Sequence, residues 1–429
     1  MHKSVVLKII LTFMAVLTLS SCTEASDRYD TAEHTNDSVK SGLESYTNVS
    51  DGADKNANEN NDDNTYHVVS GGTSVMEYQK DEPKYTRPDF VPDNMVTYYG
   101  YYQLNDYEKT IYNELTEMLG NYEPTVPLMT DTETFEKILE IIRIEQLSYS
   151  HVSGRALGEY NNDTKMYDVN ITYRFSENQL KQMNFEAEKK ADEIMANVTD
   201  DMSDYDKLKY FHDYLILNCQ SDTEDEYADT IYGTLIRGKA LCEGYAKTFS
   251  YLCNRAGIEN IIVTGRTSVP HMWNMVKVDG EWYHIDVTWD KPDKNISPYC
   301  PGLILYQYFM ATDSVMENYR EIDRTLFTPP KATSTRLYYF VKENLVADDF
   351  DSTYKIMRSE IIRAKATGKH YVMIKFNSSD IYIAVYNSIT SPDENGKCTI
   401  DYLSNEQQVP IIAISYYSLD RVLLLVLDY

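Results

Sequence analysis

The chain has 429 residues, and its 40 lysine and arginine residues against 67 aspartate and glutamate residues give a formal net charge of −27. A chain of this length has room for two or three domains, each with its own hydrophobic core, so the class of small disulfide-stapled proteins is excluded. The negative charge argues against a general nucleic-acid-binding protein, because attraction to phosphate groups requires a positive surface.

The N-terminal segment has the pattern of a secretory signal. Two lysines precede the apolar run Ile9–Leu19, which is about half as long as a membrane-spanning helix, and small residues follow it up to Cys22. Small residues before a cysteine resemble the bacterial lipobox, in which that cysteine is acylated and becomes the first residue of the mature chain. We predict a signal peptide over residues 1–21, a lipid anchor at Cys22 and an extracytoplasmic location on the bacterial plasma membrane. An ordinary cleaved signal followed by an incidental cysteine is the alternative.

Residues 22–93 are predicted to form an acidic tether. From Thr23 to Thr65 the sequence consists mostly of Asp, Asn, Ser, Thr and Glu, and prolines at 83, 88 and 92 continue the loop-like character. Such a composition cannot offset the entropy of ordering by burying apolar surface. We therefore interpret the segment as a flexible spacer, in preference to a binding segment for a basic partner.

Residues 94–200 are predicted to form an N-terminal α+β domain. Apolar residues at helical spacing indicate helices over Asp106–Leu119 and Thr132–Ile144, and strict alternation indicates a strand over Tyr167–Tyr173. A capping-box pattern then begins a long helix that runs from Ser176 to about Asn197.

After a predicted helix over Asp204–Asn218, the segment RGKALCEGYAKTFSYLCNRAGI predicts a helix with Cys242 at its beginning and Gly257 as its stop. Free backbone N–H groups and the positive end of the helix dipole favour a thiolate at that position. Cys253 falls about three helical turns later, where a cysteine is usually a small buried hydrophobic residue. We interpret Cys242 as a candidate nucleophile and Cys253 as structural.

The segment HMWNMVKVDGEWYHIDVTWD predicts a β-hairpin around Asp279–Gly280. With a two-residue turn, Asp286 lies opposite Trp273, and His271 is the diagonal neighbour of Asp286 on the same face. Diagonal partners have Cα atoms about 7 to 8 Å apart, which lets a carboxylate orient an imidazole. A three-residue turn would place the two on opposite faces. His284 shares the face of Asp286 as well, but it is adjacent along the same strand, and we favour His271.

Residues 331–429 are predicted to form a smaller C-terminal α+β domain without a chemical motif. The pattern indicates one helix, Ser352–Ala366, and strands over His370–Phe376, Asp380–Tyr386 and Arg421–Asp428.

The cysteines do not form a metal or dithiol motif. None of the six is spaced C-x-x-C, and HExxH, glycine-rich phosphate loops and calcium-loop patterns are missing from the sequence. We expect a protein without metal or cofactor. Some of Cys219, Cys300 and Cys398 could form a disulfide, but spacing does not determine the connectivity.

A thiolate can attack an acyl carbon, an imidazole can hold and return the proton, and a carboxylate can orient the imidazole. The order Cys, His, Asp in the contexts GKALCEGYA, HMWN and WYHIDVTWD resembles the transglutaminase-like superfamily of thiol enzymes, in particular its bacterial secreted and lipoprotein members. The resemblance implies a papain-like α+β core over residues 201–330, in which a helix bearing the cysteine packs on an antiparallel sheet bearing the histidine and the aspartate.

The resemblance also implies roles for individual residues. Cys242 is the nucleophile, His271 the base and acid, and Asp286 the orienting carboxylate, while the supporting residues are Tyr232, Trp273 and Asn274. On spacing alone, the three main residues could equally be ordinary parts of a helix and a hairpin.

The expected function is that of a cell-surface thiol enzyme that forms an acyl-thioester at Cys242. It would hydrolyse peptide-type amides, as a protease or amidase does, or transfer them to an amine, as a transglutaminase does, and we favour hydrolysis. The expected partners are a peptide or protein substrate and the membrane, reached through lipidated Cys22, and not nucleic acid. The alternative is a catalytically silent binding or scaffold lipoprotein with the same fold.

Overall fold

A computed structural model of the chain describes residues 98–150, 152–161, 163–164, 166–292, 300, 302–417 and 421–429. The predicted signal peptide, Cys22 and the acidic tether lie outside these residues and stay predictions. In the part of the chain that is described, no helix is both long enough and apolar enough to cross a membrane.

The first part of the fold combines helices with a small antiparallel sheet. Its elements are α1 (Tyr99–Gln103), α2 (Asp106–Gly120), β1 (Thr125–Leu128), α3 (Thr132–Glu145), β2 (Val152–Asn161), β3 (Met166–Tyr173) and α4 (Glu177–Met195). The strand order is β1-β3-β2. The side chains of Asn105 and Ser176 form capping boxes at the starts of α2 and α4, where backbone N–H groups lack helical partners. The predicted helices and strand of this region are confirmed.

The middle part contains the larger antiparallel sheet and the cysteine-bearing helix. Its elements are α5 (Asp204–Asn218), β4 (Gln220–Ser221), a π-helical turn (Gly233–Arg237), β5 (Lys239–Ala240), α6 (Cys242–Arg255), β6 (Asn260–Arg266), β7 (Pro270–Val278), β8 (Glu281–Ile285), β9 (Phe309–Ala311), α7 (Asp313–Met316) and β10 (Glu321–Ile322). The larger sheet has the order β10-β6-β7-β8-β9, and all its neighbours are antiparallel. Helix α6 packs against β6 and β7. The fold class is α+β, as predicted.

The hairpin formed by β7 and β8 has the register that the sequence predicts. Val278 pairs with Glu281, and Asn274 pairs with Ile285. The turn residues Asp279 and Gly280 have φ angles of 52° and 82°. These positive angles are what a two-residue type I′ turn requires, and aspartate and glycine tolerate them best. The two-residue turn is confirmed, and it fixes which side chains share a face.

The last part of the fold surrounds a four-stranded sheet. Its elements are α8 (Tyr339–Lys342), β11 (Val346–Ala347), α9 (Phe350–Thr367), β12 (Tyr371–Phe376), α10 (Ser379–Thr390), α11 (Thr399–Gln407), β13 (Ile411–Tyr417) and β14 (Val422–Leu427). The strand order is β11-β12-β14-β13, with β11 and β12 parallel. All six residues of β14 are buried.

The predicted strand Asp380–Tyr386 is wrong, because these residues belong to helix α10. Isoleucine and valine in this stretch favour a strand by propensity, but Tyr382, Val385 and Ile389 are buried at helical spacing. The Ser378 hydroxyl accepts the backbone N–H of Ile381 at 3.1 Å and caps the helix. Helix α11 is a further departure from the single helix that was predicted for this region.

Two hydrophobic clusters form the core. The first includes residues of all three predicted folded domains, among them Leu115, Phe249 and Leu424. The second lies between the C-terminal sheet and its helices and includes Ile361 and Leu403. Because the first cluster continues across residues 200 and 330, burial does not mark the predicted domain boundaries, which stay a prediction.

Candidate active site

Cys242 is the first residue of α6, and the preceding Leu241 has an extended backbone without a side-chain cap. The first N–H groups of a helix have no acceptor within it, so they present partial positive charge beside this cysteine. Cys242 is also partly exposed, whereas Cys219, Cys253 and Cys300 are buried. The position therefore combines solvent access with a helix start, the two features that a reactive thiol needs.

Close backbone contacts hold the start of α6 in place. The backbone N–H of Leu241 donates to the carbonyl oxygen of Ala228 at 2.8 Å. A Cβ atom at Gly244 would lie 2.1 Å from that oxygen and 2.9 Å from the hydroxyl of Thr234. Only glycine permits this approach, so the segment before the π-helical turn and the first turn of α6 fit together through Gly244.

His271 and Asp286 are in direct contact. The Nε2 atom of His271 lies 2.8 Å from Oδ2 of Asp286, and both side chains are buried. An ionised carboxylate can only accept, so Nε2 donates and Nδ1 is the ring nitrogen left for Cys242, whose hydrogen bonding and charge help to raise the pKa of His271. The structure thus brings together the three residues that the sequence singled out, in the order Cys242, His271, Asp286.

The electrostatics of this arrangement favour a protonated imidazole. Burial by itself lowers the pKa of His271, but the charge and hydrogen bond of Asp286, together with Cys242, raise it to about 9. Burial raises the pKa of Asp286, but His271 and Arg320 lower it to about 2. At neutral pH the aspartate is ionised and the histidine holds its proton, which is the state that can stabilise a thiolate.

Trp273 and His284 form a buried support behind His271. The rings of His271 and Trp273 are nearly parallel, with centroids 5.7 Å apart. The indole N–H of Trp273 donates to Nδ1 of His284 at 3.0 Å, and Nε2 of His284 lies 3.0 Å from Oδ1 of Asp313. Both nitrogens of His284 are therefore engaged by Trp273 and Asp313, and of the two histidines considered for Asp286, the structure places His271 beside it.

The other two supporting residues have different surroundings. The side-chain amide of Asn274 donates to the carbonyl oxygen of Ala246 at 3.0 Å, and this bond ties β7 to α6. Tyr232 is half-buried and packs edge-on against Tyr227, with ring centroids 5.4 Å apart. Asn274 thus helps to fix the distance between the cysteine helix and the histidine strand, whereas a role for Tyr232 beside Cys242 stays a prediction.

Residues 188–287 match the model of the transglutaminase-like superfamily. This segment is a transglutaminase-like domain. It contains Cys242 and His271 and ends one residue after Asp286.

Two solved structures are similar to this chain. One is described as a TGase, with 18% identity and a TM-score of 0.23 over 39% of this chain and 51% of that chain. The other is described as a "Putative Cysteine Protease" from Cytophaga hutchinsonii, with 12% identity and a TM-score of 0.23 over 32% of this chain and 63% of that chain. The chain thus spans about half of the first and less than two thirds of the second. No curated protein matches the chain.

Two residues beyond the sequence prediction contact Asp286 at the end of the transglutaminase-like domain. Arg320 lies outside the matched segment, and its Nη2 atom is 2.8 Å from Oδ2 of Asp286. The backbone N–H of Trp289 donates to Oδ1 at 3.1 Å, and its indole, 40% exposed, lies edge-on to His271. Trp289 belongs to the motif WYHIDVTWD and could have been noticed there, whereas no spacing in the sequence indicates Arg320.

Glu243, the residue after Cys242, is paired with two cations. Its carboxylate lies 2.7 Å from Nζ of Lys247 on the next turn, and it also pairs with Arg143 of α3. Burial raises the pKa of Glu243, but Arg143 and Lys247 lower it well below its usual range. The two cations offset the negative charge of this carboxylate in the first turn of α6, and one of them comes from outside the transglutaminase-like domain.

The three buried thiols that the structure describes have the character of structural cysteines. Cys219, Cys253, Cys300 and Cys398 are all free. Burial raises the pKa of Cys219 to about 11 and raises that of Cys253 well above its ordinary value. Such thiols stay protonated and react slowly. Among the described side chains, no group of three or more His, Cys, Asp or Glu residues is arranged to hold a metal ion.

Proposed function

We propose that this protein is a thiol enzyme that forms an acyl-thioester at Cys242 from a peptide-type amide. The observation that carries the proposal is the position of His271 between the Cys242 thiol and the Asp286 carboxylate. The transglutaminase-like superfamily includes both cysteine proteases and transglutaminases, and both begin with this step.

The first half of the reaction forms the thioester. The thiolate of Cys242 attacks the amide carbon, a C–S bond forms, and the carbonyl oxygen becomes an oxyanion that faces the backbone N–H of Cys242. When the tetrahedral intermediate collapses, the C–N bond breaks and Nδ1–H of His271 gives its proton to the departing amine. Asp286 holds the ring in the tautomer that this transfer needs.

The second half releases the acyl group. His271, now neutral, takes a proton from water or from an incoming amine, whose oxygen or nitrogen attacks the thioester carbon. The C–S bond breaks and restores the Cys242 thiolate beside the imidazolium. With water the products are an acid and an amine, and with an amine the product is a new amide. We propose hydrolysis as the main outcome.

A peptidyl acyloxymethyl ketone is expected to label the wild-type protein at Cys242 at neutral pH, because a helix start and a protonated His271 favour the reactive form of the thiol. The Cys242→Ala variant is expected to remain unlabelled, and His271→Gln to be labelled at least about 100-fold more slowly, since general acid–base groups contribute about that much or more. Mass spectrometry of the tryptic peptides measures the site and the rate.

The matched control for labelling is Cys398→Ser, which removes the other thiol that is partly exposed among the described cysteines and should leave labelling intact. Equal labelling of Cys242→Ala and wild type contradicts the proposal. Incubation with cell-wall peptides and a primary amine, followed by mass spectrometry, then separates the acid product from the amide product. A protein that neither reacts with the probe nor turns over a peptide would support the scaffold alternative.

We further propose that the enzyme works outside the plasma membrane, held by acylated Cys22. The proposal rests on the apolar run, the small residues and the cysteine that follow one another at the N-terminus. The mature N-terminal peptide is expected to begin at Cys22 with a lipid-modified mass, and Cys22→Ala should move the protein out of the membrane fraction. An unmodified Cys22 in the mature protein contradicts the anchor.

A further inference from the structure

Arg320 shares the carboxylate oxygen that receives the His271 hydrogen bond. Its Nη2 and Nε atoms lie 2.8 Å and 3.2 Å from Oδ2 of Asp286, and Nε2 of His271 lies 2.8 Å from the same oxygen. The side chains of Arg320 and Asp286 are both fully buried. Two cationic partners therefore meet at one buried oxygen, where charges act strongly on one another.

The surroundings of Arg320 hold its guanidinium group in one place. The guanidinium carbon lies 4.0 Å from the ring centroid of Tyr308 and 4.5 Å from that of Trp289. The backbone N–H of Arg320 donates to the carbonyl oxygen of Met316 at 3.0 Å, and the next residues form β10, which pairs with β6. A side chain fixed by two rings and by sheet pairing can orient a carboxylate with little loss of entropy.

The position of Arg320 has a consequence for the imidazolium. A lone buried carboxylate would stabilise a protonated His271 so strongly that the ring would give up its proton too rarely. A general acid works best when its proton affinity matches the working pH. The positive charge of Arg320 opposes the charge of Asp286 and repels the imidazolium, so it limits that stabilisation while its two N–H groups hold Oδ2 toward the ring.

We propose that Arg320 is a positioning residue of the thiol site, which orients Asp286 and adjusts the proton affinity of His271 through the shared carboxylate oxygen. This inference rests on the proposed function, because the proton of His271 matters only if Cys242 reacts. It also assigns a part of the site to the segment after the transglutaminase-like domain, since Arg320 follows residue 287 by more than thirty positions.

Other titratable groups lie around His271, Asp286 and Arg320, and a pH-dependent test must distinguish their titration from that of His271. The charged and titratable side chains around His271, Asp286 and Arg320 are Cys242, His284 with Asp313, Tyr308, and Asp290 with His212. Burial raises the pKa of Asp290 to about 6 despite its bond to His212, and the nearby charge of Asp286 adds to this rise. In a pH titration of the site, Asp290 thus changes its charge at the acidic end, whereas His271 is expected to lose its imidazolium proton at the alkaline end.

The test is the rate of Cys242 alkylation by iodoacetamide as a function of pH, followed by mass spectrometry of the Cys242 peptide. Alkylation reports the thiolate and its imidazolium partner, and it needs no substrate. In wild type the plot of alkylation rate against pH should have an upper inflection, at the pH where the imidazolium of His271 loses its proton. Arg320→Gln should move this upper inflection to higher pH by about 1 unit or more, the effect of one like charge at close range.

Arg320→Met is made in parallel. The unbranched methionine side chain can fill the space between the rings of Tyr308 and Trp289 if the glutamine variant does not fold. Arg320→Lys keeps the charge and should bring the inflection back toward the wild-type value. The matched control is Arg324→Gln, which removes an exposed arginine that pairs with Glu317. Its profile should coincide with that of wild type.

An unchanged upper inflection in a folded Arg320→Gln or Arg320→Met variant overturns the inference, and so does an equal shift in Arg320→Lys. A merely structural role would lower the folded fraction without moving the inflection. The proposed function fails separately, if wild-type protein shows these inflections yet forms no thioester with any peptide.

Discussion

Asp286→Asn is expected to lower the rate of Cys242 acylation by about 10⁴-fold, the effect of the same change in a triad that needs one histidine tautomer. The asparagine atom that replaces Oδ2 would face both Nε2 of His271 and the guanidinium of Arg320. An NH₂ group there would make Nε2 accept and reverse the tautomer while leaving Arg320 without an acceptor, and an oxygen there would keep Nε2 as the donor but would lack the charge that stabilises the imidazolium. Single-turnover acylation by a peptide ester at neutral pH measures the loss.

Asp286→Asn should also destabilise the fold, because Arg320 then stays buried without a counter-charge. Removal of one partner of a buried ion pair costs about 3 to 5 kcal/mol. The rate is therefore measured at a temperature where urea titration shows that the variant is folded. The matched control is Asp279→Asn at the hairpin turn, where the side chain is 64% exposed and asparagine also tolerates the positive φ. Acylation within about 10-fold of wild type would argue against the role of Asp286, since loss of the tautomer control costs far more.

Gly244→Ala is expected to destabilise the protein by about 3 kcal/mol or more, at the upper end of the range for overpacking. The added Cβ would lie 2.1 Å from the backbone oxygen of Ala228. That oxygen accepts the N–H of Leu241, so the chain cannot relax without moving the start of α6. Alkylation of Cys242 should slow as well, because the thiol and His271 would lose their alignment. Urea unfolding and the alkylation rate measure the two effects.

The control for the Gly244 substitution is Gly120→Ala at the last residue of α2. There an added Cβ would approach only the hydroxyl of Tyr149, at 3.2 Å, which lies at the end of a movable side chain. Alanine also favours a helix over glycine by up to about 1 kcal/mol. The Gly120 variant should be as stable as wild type. A Gly244→Ala protein with wild-type stability and alkylation would show that the close approach is not needed.

Helix α10 shows how tertiary packing overrides local propensity. Residues 380–386 contain enough isoleucine, valine and tyrosine to favour a strand. The Ser378 cap and the burial of every third or fourth residue instead match a helix that packs on the C-terminal sheet. A short apolar run is compatible with both a helix and a strand, and packing against the neighbouring elements decides which of the two forms.

Two local features of the candidate site could be predicted from the amino-acid sequence alone. The position of Cys242 at a helix start follows from helical spacing, and the pairing of His271 with Asp286 follows from a two-residue turn and from the way successive side chains of a strand point to opposite faces. Both are short-range properties, since the pattern that encodes them lies within about twenty residues. The tertiary structure alone decided that Arg143 and Arg320 pair with Glu243 and Asp286. Arginines distant in sequence carry no periodic signal, because their partners are set by how separate helices and strands pack.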